Sequence, residues 1–205
     1  MARNKRPEAG TRLNDAQRLA WLRLIRSGNV GPATFRALVN QFGGAQAAIE
    51  ALPDLSRRGG RSQEIRLGSL ADAEAEIEAA RAVGAHLVAL GERGYPPALA
   101  QVDAPPPLIY VKGRLELAEI PIVAIVGARN GSAVGQKFTR QIASALGLEG
   151  FVVASGLARG IDTAAHTASL EHGTIAVVAG GIDVVYPPGD DRHWPTFIVA
   201  PRLDD

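Results

Sequence analysis

The sequence predicts an α/β protein with a parallel sheet and flanking helices, preceded by a small all-α module. Short apolar runs alternate with helical patterns between residues 121 and 189, and each run ends in glycine or a small polar residue. Strand, crossover helix and strand in succession give parallel pairing with right-handed connections. The first 60 residues, in contrast, show apolar residues at helical spacing, which predicts an all-helical start.

Three apolar runs predict the strands of the sheet, at 122–126, 151–154 and 174–178, and helices are expected between them at about 133–148 and 162–172. The apolar residues of the first of these helices recur at helical spacing, so we expect that face to pack on the sheet: Val134, Phe138, Ile142, Ala145 and Leu146. Ligands of parallel sheets bind beyond the carboxyl ends of the strands, where the strand-to-helix loops meet.

The helical module is expected at 14–61, after a disordered tail over residues 1–13. Asn14 and Gln17 have the spacing of a capping box. Pro32 suits the first position of a second helix. A third helix is expected over about 45–52, ending before Pro53.

The glycine turn at 28–31, between two apolar helices, resembles a helix-hairpin-helix motif. Such a hairpin presents backbone N–H groups to a nucleic-acid phosphate. The alternative is a plain helical bundle whose glycines only turn the chain. The glycine- and arginine-rich stretch 56–62 is the predicted linker, and residues 62–205 are predicted to form the α/β domain.

The middle of the chain predicts a helix and two short strands. The helix has one apolar face, formed by Leu70, Ala73, Ile77 and Ala80. The strands are expected at 87–90 and 108–111, with proline-rich turns between them. The acidic residues of the helix are interpreted as a solvated face.

Composition excludes several classes of function. The chain of 205 residues contains no cysteine, which excludes disulfides, thiolate metal sites and cysteine nucleophiles. It has no apolar run long enough to span a membrane, and we expect a cytoplasmic protein. The net charge is +1, yet residues 1–61 hold 11 Lys and Arg against 4 Asp and Glu. This excess suggests either a polyanionic partner or a solvated basic face.

The loop after the first predicted strand combines glycines with one arginine. Gly127 permits close backbone approach, Ser132 can cap the next helix, and Arg129 offers a guanidinium suited to phosphate. The alternative for Arg129 is a surface salt bridge. The glycine spacing fits neither the dinucleotide-binding fingerprint nor the P-loop.

The loop after the second predicted strand repeats the pattern with Ser155, Gly156, Arg159 and Gly160. Asp162 is expected to cap the following helix, and His166, one turn later, is expected to be a buried structural histidine. A metal pair or a hydrolytic triad around these residues would need further ligands or an oriented base.

A third loop, at 180–189, supplies Asp183 and Tyr186, which either stacks on a base or covers the sheet edge. Lys137 and Arg140 lie further along the first helix of the sheet. No cluster has the acid/base pair of a catalyst, and no metal or cofactor is predicted. The residues therefore predict an anion-binding groove for a phosphate backbone or a nucleotide.

At this point the chain resembles the DNA-processing protein A family (DprA, also called Smf). The resemblance is carried by GARNGSAVG at 127–135, SGLARGIDTAAH at 155–166 and GTIAVVAGGIDVVYPP at 173–188, with support from 91–113 and the helices at 14–52. It implies a sterile-alpha-motif-like (SAM-like) helical module joined to a Rossmann-like domain. It also implies a homodimeric, non-enzymatic protein that binds and protects single-stranded DNA and loads the RecA recombinase in natural transformation and competence.

The resemblance also implies which residues bind DNA. The arginine of the first loop and a basic residue of the second line a positive DNA pocket in the family, and Arg129 and Arg159 match those positions. The full set expected to contact DNA is Gly127, Arg129, Ser132, Lys137, Ser155, Gly156, Arg159 and Gly160.

The sequence after residue 188 departs from the family pattern. We expect a fragment or a truncated form of the domain, with a short extra strand at 197–199. An alternative function is a phosphoribohydrolase-like enzyme that processes nucleotides on a related fold, although the glutamate-containing stretch of those enzymes has no match here. A module that only binds another protein is a third alternative.

Overall fold

The computed structural model describes residues 12–58, 65–178 and 182, and the backbone of 196–199. The helices of this part are α1 (Asp15–Ile25), α2 (Pro32–Phe42), α3 (Ala45–Arg58), α4 (Leu70–Ala82), α5 (Ala133–Leu148) and α6 (Ile161–Ser169). The strands are β1 (Ala85–Ala89), β2 (Leu108–Gly113), β3 (Ile122–Ala124), β4 (Val152–Ser155), β5 (Thr174–Val178) and β6 (Thr196–Val199). Short 3-10 helices occur at Leu99–Gln101 and Leu115–Glu119.

The chain divides into two compact units. One comprises residues 1–79 with 88–108 and 203–205, and the other comprises 80–87 with 109–202. The predicted domain boundary at 61–62 stays a prediction, because residues 59–64 lie outside the described part.

The first unit begins with the helix signals that the sequence predicts. The Asn14 side chain accepts from the Gln17 amide and the Gln17 side chain accepts from the Asn14 amide, which confirms the capping box. Pro32 occupies the first turn of α2, as expected. The expected end of α3 is wrong, because the helix continues through Pro53 to Arg58. The missing N–H of Pro53 removes one backbone hydrogen bond, yet the helix continues.

Apolar side chains between α1, α2 and α3 form the core of this unit. Leu22, Leu24 and Phe35 are buried, and the Trp21 ring meets the Phe35 ring edge-on at a centroid distance of 5.0 Å. A charged pair also stabilises the unit: the Arg18 guanidinium donates to both carboxylate oxygens of Glu92, at 2.7 and 2.9 Å. Burial raises the pKa of Glu92, but the hydrogen bonds from Arg18 and two backbone amides outweigh it and lower that pKa below its usual value.

The strands form one sheet in the order β1-β2-β6-β5-β4-β3. The pairs β3–β4, β4–β5 and β5–β6 are parallel, whereas β2–β6 is antiparallel. The three predicted strands and their parallel pairing are therefore confirmed, and β6 confirms the short extra strand expected at 197–199. Register places Ile122 beside Val152 and Val153 beside Thr174.

The expected orientation of α5 is confirmed for Leu146, which packs on the core, but it is wrong for three other residues of the predicted face. Val134, Phe138 and Ile142, predicted to face the sheet, are 79%, 61% and 40% exposed. The buried positions of the helix are Thr139, Ala143 and Gly147. Ala143 packs with Val153 of β4 and Ala165 of α6, and Leu146 packs against the same cluster.

Some sequence expectations fall on residues outside the described part. These are most of the N-terminal tail, most of the linker, and the third loop with Asp183 and Tyr186. Among the helices of the described residues, none combines the length and the apolar character needed to cross a membrane.

Candidate nucleic-acid interface

Two glycine loops lie side by side at the carboxyl ends of β3 and β4. The first joins β3 to α5 and the second joins β4 to α6. Because β3 and β4 are parallel neighbours, both loops emerge from the same edge of the sheet, which is where α/β sheets bind ligands.

The two loops are interlocked through Gly160. This residue has a φ of +87°, a left-handed conformation that glycine adopts without strain. A Cβ at Gly160 would lie 2.4 Å from the carbonyl oxygen of Ala128 and 2.5 Å from that of Arg129. The Ile161 amide donates to the same Ala128 carbonyl at 3.3 Å. Arg129 and Arg159 therefore sit on loops whose backbones touch.

The Asp162 carboxylate accepts hydrogen bonds from backbone amides of both loops. Its Oδ1 accepts from the Gly127 amide at 3.3 Å, and its Oδ2 accepts from the amides of Gly156 and Ala158 at 3.2 and 3.3 Å. The expectation that Asp162 caps α6 is wrong, because Gly160 is the N-cap residue and has no side chain to accept a bond. The amides of Gly127 and Gly156 therefore donate to the protein's own carboxylate, and a contact of these two residues with DNA stays a prediction.

The two loop serines are likewise engaged within the protein. The Ser155 hydroxyl donates to the Ile125 carbonyl at 2.6 Å and is buried. The Ser132 hydroxyl accepts from the Gly135 amide at 3.1 Å, which confirms its predicted role as the cap of α5. Both side chains therefore shape the loops.

His166 is fully buried near Asp162. Its Nδ1 lies 2.7 Å from the Thr174 hydroxyl oxygen, and that hydroxyl donates its own proton to the Val153 carbonyl. His166, Thr174 and the Val153 carbonyl thus form a buried chain of hydrogen bonds. Burial lowers the pKa of His166 to about 4, although the nearby Asp162 charge and the Ser155 backbone oppose this. No group of three metal-binding side chains was found among the described residues.

The cations of the interface are exposed: Arg129, Lys137, Arg140 and Arg159. Within residues 12–58 and 65–178, the ion pairs that form involve other residues. No acid occurs between Ile122 and Leu148, and Asp162 is buried beneath the loops. In the part of the chain that the structure describes, these cations therefore give the edge a positive charge that no ion pair neutralises.

A pocket of about 300 Å³ opens between α5 and α6, next to the second loop. Its walls include Gln136, Arg140, Arg159, Gly160, Thr163 and Thr167. From the sequence, Arg140 was expected only as a cation further along the helix, and no role was expected for Gln136 or the two threonines. Residues four positions apart share one face of a helix, so 136 with 140 and 163 with 167 could have been paired once the helices were assigned. Lys137, one residue after Gln136, is not among the residues that line the pocket.

The predicted turn of the first unit joins α1 to α2. Asn29 has a φ of +62°, and the Gly28 amide donates to the Arg66 carbonyl at 2.8 Å. That amide is therefore not available to a phosphate. Gly31, by contrast, precedes the exposed first turn of α2 and has open space around it.

Comparison with known proteins identifies two family models in the chain. The model for "DNA recombination-mediator protein A" matches residues 86–198, and that for the "DprA-like N-terminal HHH domain" matches residues 15–79. The chain is 45% identical over 100 residues to the DNA processing protein DprA of Streptococcus pneumoniae, which covers 48% of this chain and 35% of that protein. It is also 45% identical over 100 residues to Protein Smf of Synechocystis sp., which covers 46% of this chain and 25% of that protein. The matches thus span about a quarter to a third of these curated relatives.

Two solved structures share the fold. The X-ray structure of DNA processing protein A from Streptococcus pneumoniae superposes with a TM-score of 0.58 at 27% identity, over 84% of this chain and 68% of that one. DNA processing protein A from Helicobacter pylori, whose structure concerns its single-stranded DNA binding mode, superposes with a TM-score of 0.51 at 24% identity, over 58% and 57%. The first family model alone covers more than half of the chain. The chain therefore belongs to the DNA recombination-mediator protein A family, known as DprA or Smf.

Proposed function

We propose that this chain binds single-stranded DNA as part of a recombination mediator. One observation carries the proposal: exposed arginines on two interlocked loops, with two more cations on α5, form a positive edge, and the acid that contacts these two loops, Asp162, is buried. Family membership supports the same function, and so does the DNA binding described for the Helicobacter pylori relative of the same fold.

In the proposed interface, side chains rather than backbone amides bind the phosphates. Because the Gly127, Gly156 and Ala158 amides donate to Asp162, the guanidiniums of Arg129 and Arg159 would provide the binding energy. Guanidinium groups make strong, forked hydrogen bonds to phosphate oxygens. Lys137 and Arg140 extend the positive charge along α5, which suits a chain of phosphates better than one isolated anion.

The wider role follows the family. On the ground of family membership, we propose that the protein protects single-stranded DNA and delivers it to the RecA recombinase. We propose further that it acts as a homodimer in the cytoplasm and not as an enzyme. On the same ground, we propose that the protein acts in natural transformation.

The alternative of a nucleotide hydrolase is less well supported. A hydrolase needs an acid or a base that reaches the substrate. Among the described residues, the carboxylate that contacts the two loops is Asp162, which accepts from three loop amides, and the histidine beside it is His166, which is fully buried and neutral. Neither is placed to transfer a proton to a bound ligand.

The experiment is a fluorescence-anisotropy titration of an oligothymidylate of about 20 nucleotides, repeated at roughly 50 to 200 mM salt. We expect Arg129→Ala and Arg159→Ala each to weaken binding by about 1–2 kcal/mol, roughly five- to thirty-fold. Each should also reduce the slope of log K against log salt by about 0.7, the value expected for one phosphate contact with a single strand.

Arg57→Ala is the matched control, since it removes one exposed arginine from α3, where Arg57 pairs with Asp54. It changes the net charge of the chain by the same amount and should leave affinity nearly unchanged. If the chain does not bind the oligonucleotide, or if the control weakens binding as much as the loop variants do, the proposed interface is refuted. Release of free base from nucleoside monophosphates would instead support the hydrolase.

A further inference from the structure

The pocket between α5 and α6 is built as a binding site rather than as an incidental gap. Arg140 contributes from α5 and Arg159 from the loop before α6, and two threonines of α6 add hydroxyl groups. Among the described residues neither arginine is part of an ion pair. Two guanidiniums that share one pocket repel each other, so an anion between them would relieve an electrostatic cost.

Both walls of the pocket are braced against the two loops. The Gln136 side chain donates to the Gly131 carbonyl of the first loop at 2.9 Å. The Thr163 hydroxyl donates to the Ala158 carbonyl of the second loop at 2.8 Å. These bonds hold the pocket in a fixed position relative to Arg129 and Arg159, so less conformational freedom is lost when a ligand binds.

The size and chemistry of the pocket fit one nucleotide unit of a strand. A volume of about 300 Å³ is at the lower end of the range for ligand sites. The walls offer charged forks, hydroxyls and a carboxamide, but no aromatic ring on which a base could stack. Phe138, the nearest aromatic residue along α5, is 61% exposed and does not line the pocket.

We infer that this pocket is a second phosphate subsite, in which Arg140 and Arg159 hold the phosphodiester and sugar of one nucleotide without regard to its base. The inference rests on the proposed function and extends it. The strand would leave Arg129 at the loops, pass Arg159 and enter the groove between the two helices at Arg140. Thr167 would contact the same nucleotide from the α6 side, whereas the Thr163 hydroxyl already donates its proton to the Ala158 carbonyl and holds the wall in place.

The test compares variants in the anisotropy titration described above, with oligothymidylate as the probe. Arg140→Ala should weaken binding about five- to twenty-fold and reduce the salt slope by about 0.7. Arg140→Lys, which keeps the charge but loses the fork, should recover part of this affinity. Thr167→Trp would fill the mouth of the pocket without changing any charge, and it should also weaken binding. Oligonucleotides of mixed sequence should respond to all three variants as oligothymidylate does.

Two negative outcomes are distinguishable. If Arg129→Ala and Arg159→Ala weaken binding while Arg140→Ala and Thr167→Trp behave as Arg57→Ala does, the second subsite is refuted and the proposed function stands. If the unmodified chain shows no salt-dependent binding of oligothymidylate, the proposed function fails and the subsite fails with it. Urea unfolding of each variant separates a lost contact from a lost fold.

Discussion

Replacing Asp162 with asparagine tests how the interface is held together. The carboxylate accepts the amides of Gly127, Gly156 and Ala158, and it lies beneath both loops with 5% of its surface exposed. Asparagine has nearly the same shape, but it is neutral and keeps only one accepting oxygen. Its amide nitrogen would face at least one N–H donor of the loops.

The expected magnitude follows from these three bonds. Hydrogen bonds to a charged group contribute about 1.5–3 kcal/mol each, and donor–acceptor distances of 3.2–3.3 Å place these at the lower end. One or two of the three bonds would be lost and the remainder would lose their charge, so we expect a decrease of about 2–4 kcal/mol in the free energy of unfolding. For a chain of this size the corresponding fall in Tm is roughly 5–15 °C.

Urea unfolding followed by circular dichroism measures the change, and backbone hydrogen exchange locates it. The amides of Gly127, Gly156 and Ala158 should exchange faster in the Asp162→Asn variant, while amides of the β4–β5 ladder should change less. Asp15→Asn is the control. Asp15 is an exposed acid in the first turn of α1, so its replacement removes the favourable interaction with the helix dipole, as Asp162→Asn does in α6, but no loop hydrogen bonds. If Asp162→Asn costs no more than Asp15→Asn, about 0.5 kcal/mol, the carboxylate does not hold the loops as argued here.

Two further predictions concern the interior and the exposed face of α5. The pKa of His166 is lowered from 6.5 to about 4 in the folded chain, so the unfolded chain takes up a proton at higher pH than the folded chain does. The free energy of unfolding should therefore fall by about 3 kcal/mol as the pH is lowered from 6.5 to 4. Urea midpoints measured across this range should show that decrease, and His166→Gln should remove it; an unchanged pH profile in the variant would contradict the assignment. Phe138→Ser should change the free energy of unfolding by less than about 0.5 kcal/mol, because Phe138 is exposed. Ala143→Leu should lower it by roughly 1–3 kcal/mol, because the larger side chain overpacks a buried site. Equal losses for the two variants in thermal unfolding would contradict the observed orientation of α5.

Local signals predicted much of the fold because they depend on neighbours in the sequence. Asn14 and Gln17 lie three residues apart, and the capping box forms whatever the rest of the chain does. The strand–helix–strand alternation fixed the parallel pairing of β3, β4 and β5. Pro53 shows the limit of such signals, since α3 continues past a residue that usually ends a helix.

The chemistry of the interface could not be obtained in the same way. The glycine loops at the strand ends predicted an anion-binding groove, yet the Asp162 carboxylate, 35 residues from Gly127, accepts from the Gly127 amide and from two amides of the second loop. A sequence does not show which donors the protein satisfies for itself. The pocket was missed for the same reason, because Arg140 and Arg159 belong to different elements and meet only when α5 packs on α6.

The orientation of α5 shows why hydrophobic periodicity alone is ambiguous. The helix carries two stripes, one of large apolar residues at 134, 138 and 142 and one of small residues at 139, 143 and 147. Small side chains let α5 approach its neighbours closely, and a Cβ on Gly147 would lie 2.5 Å from the ring of His172, which follows α6 in the chain. A large apolar residue contributes more burial energy per side chain, but only if a surface is available to cover it. The close contact between α5 and α6 turns Gln136 and Arg140 toward α6, and it is this contact that creates the pocket beside the cationic loops.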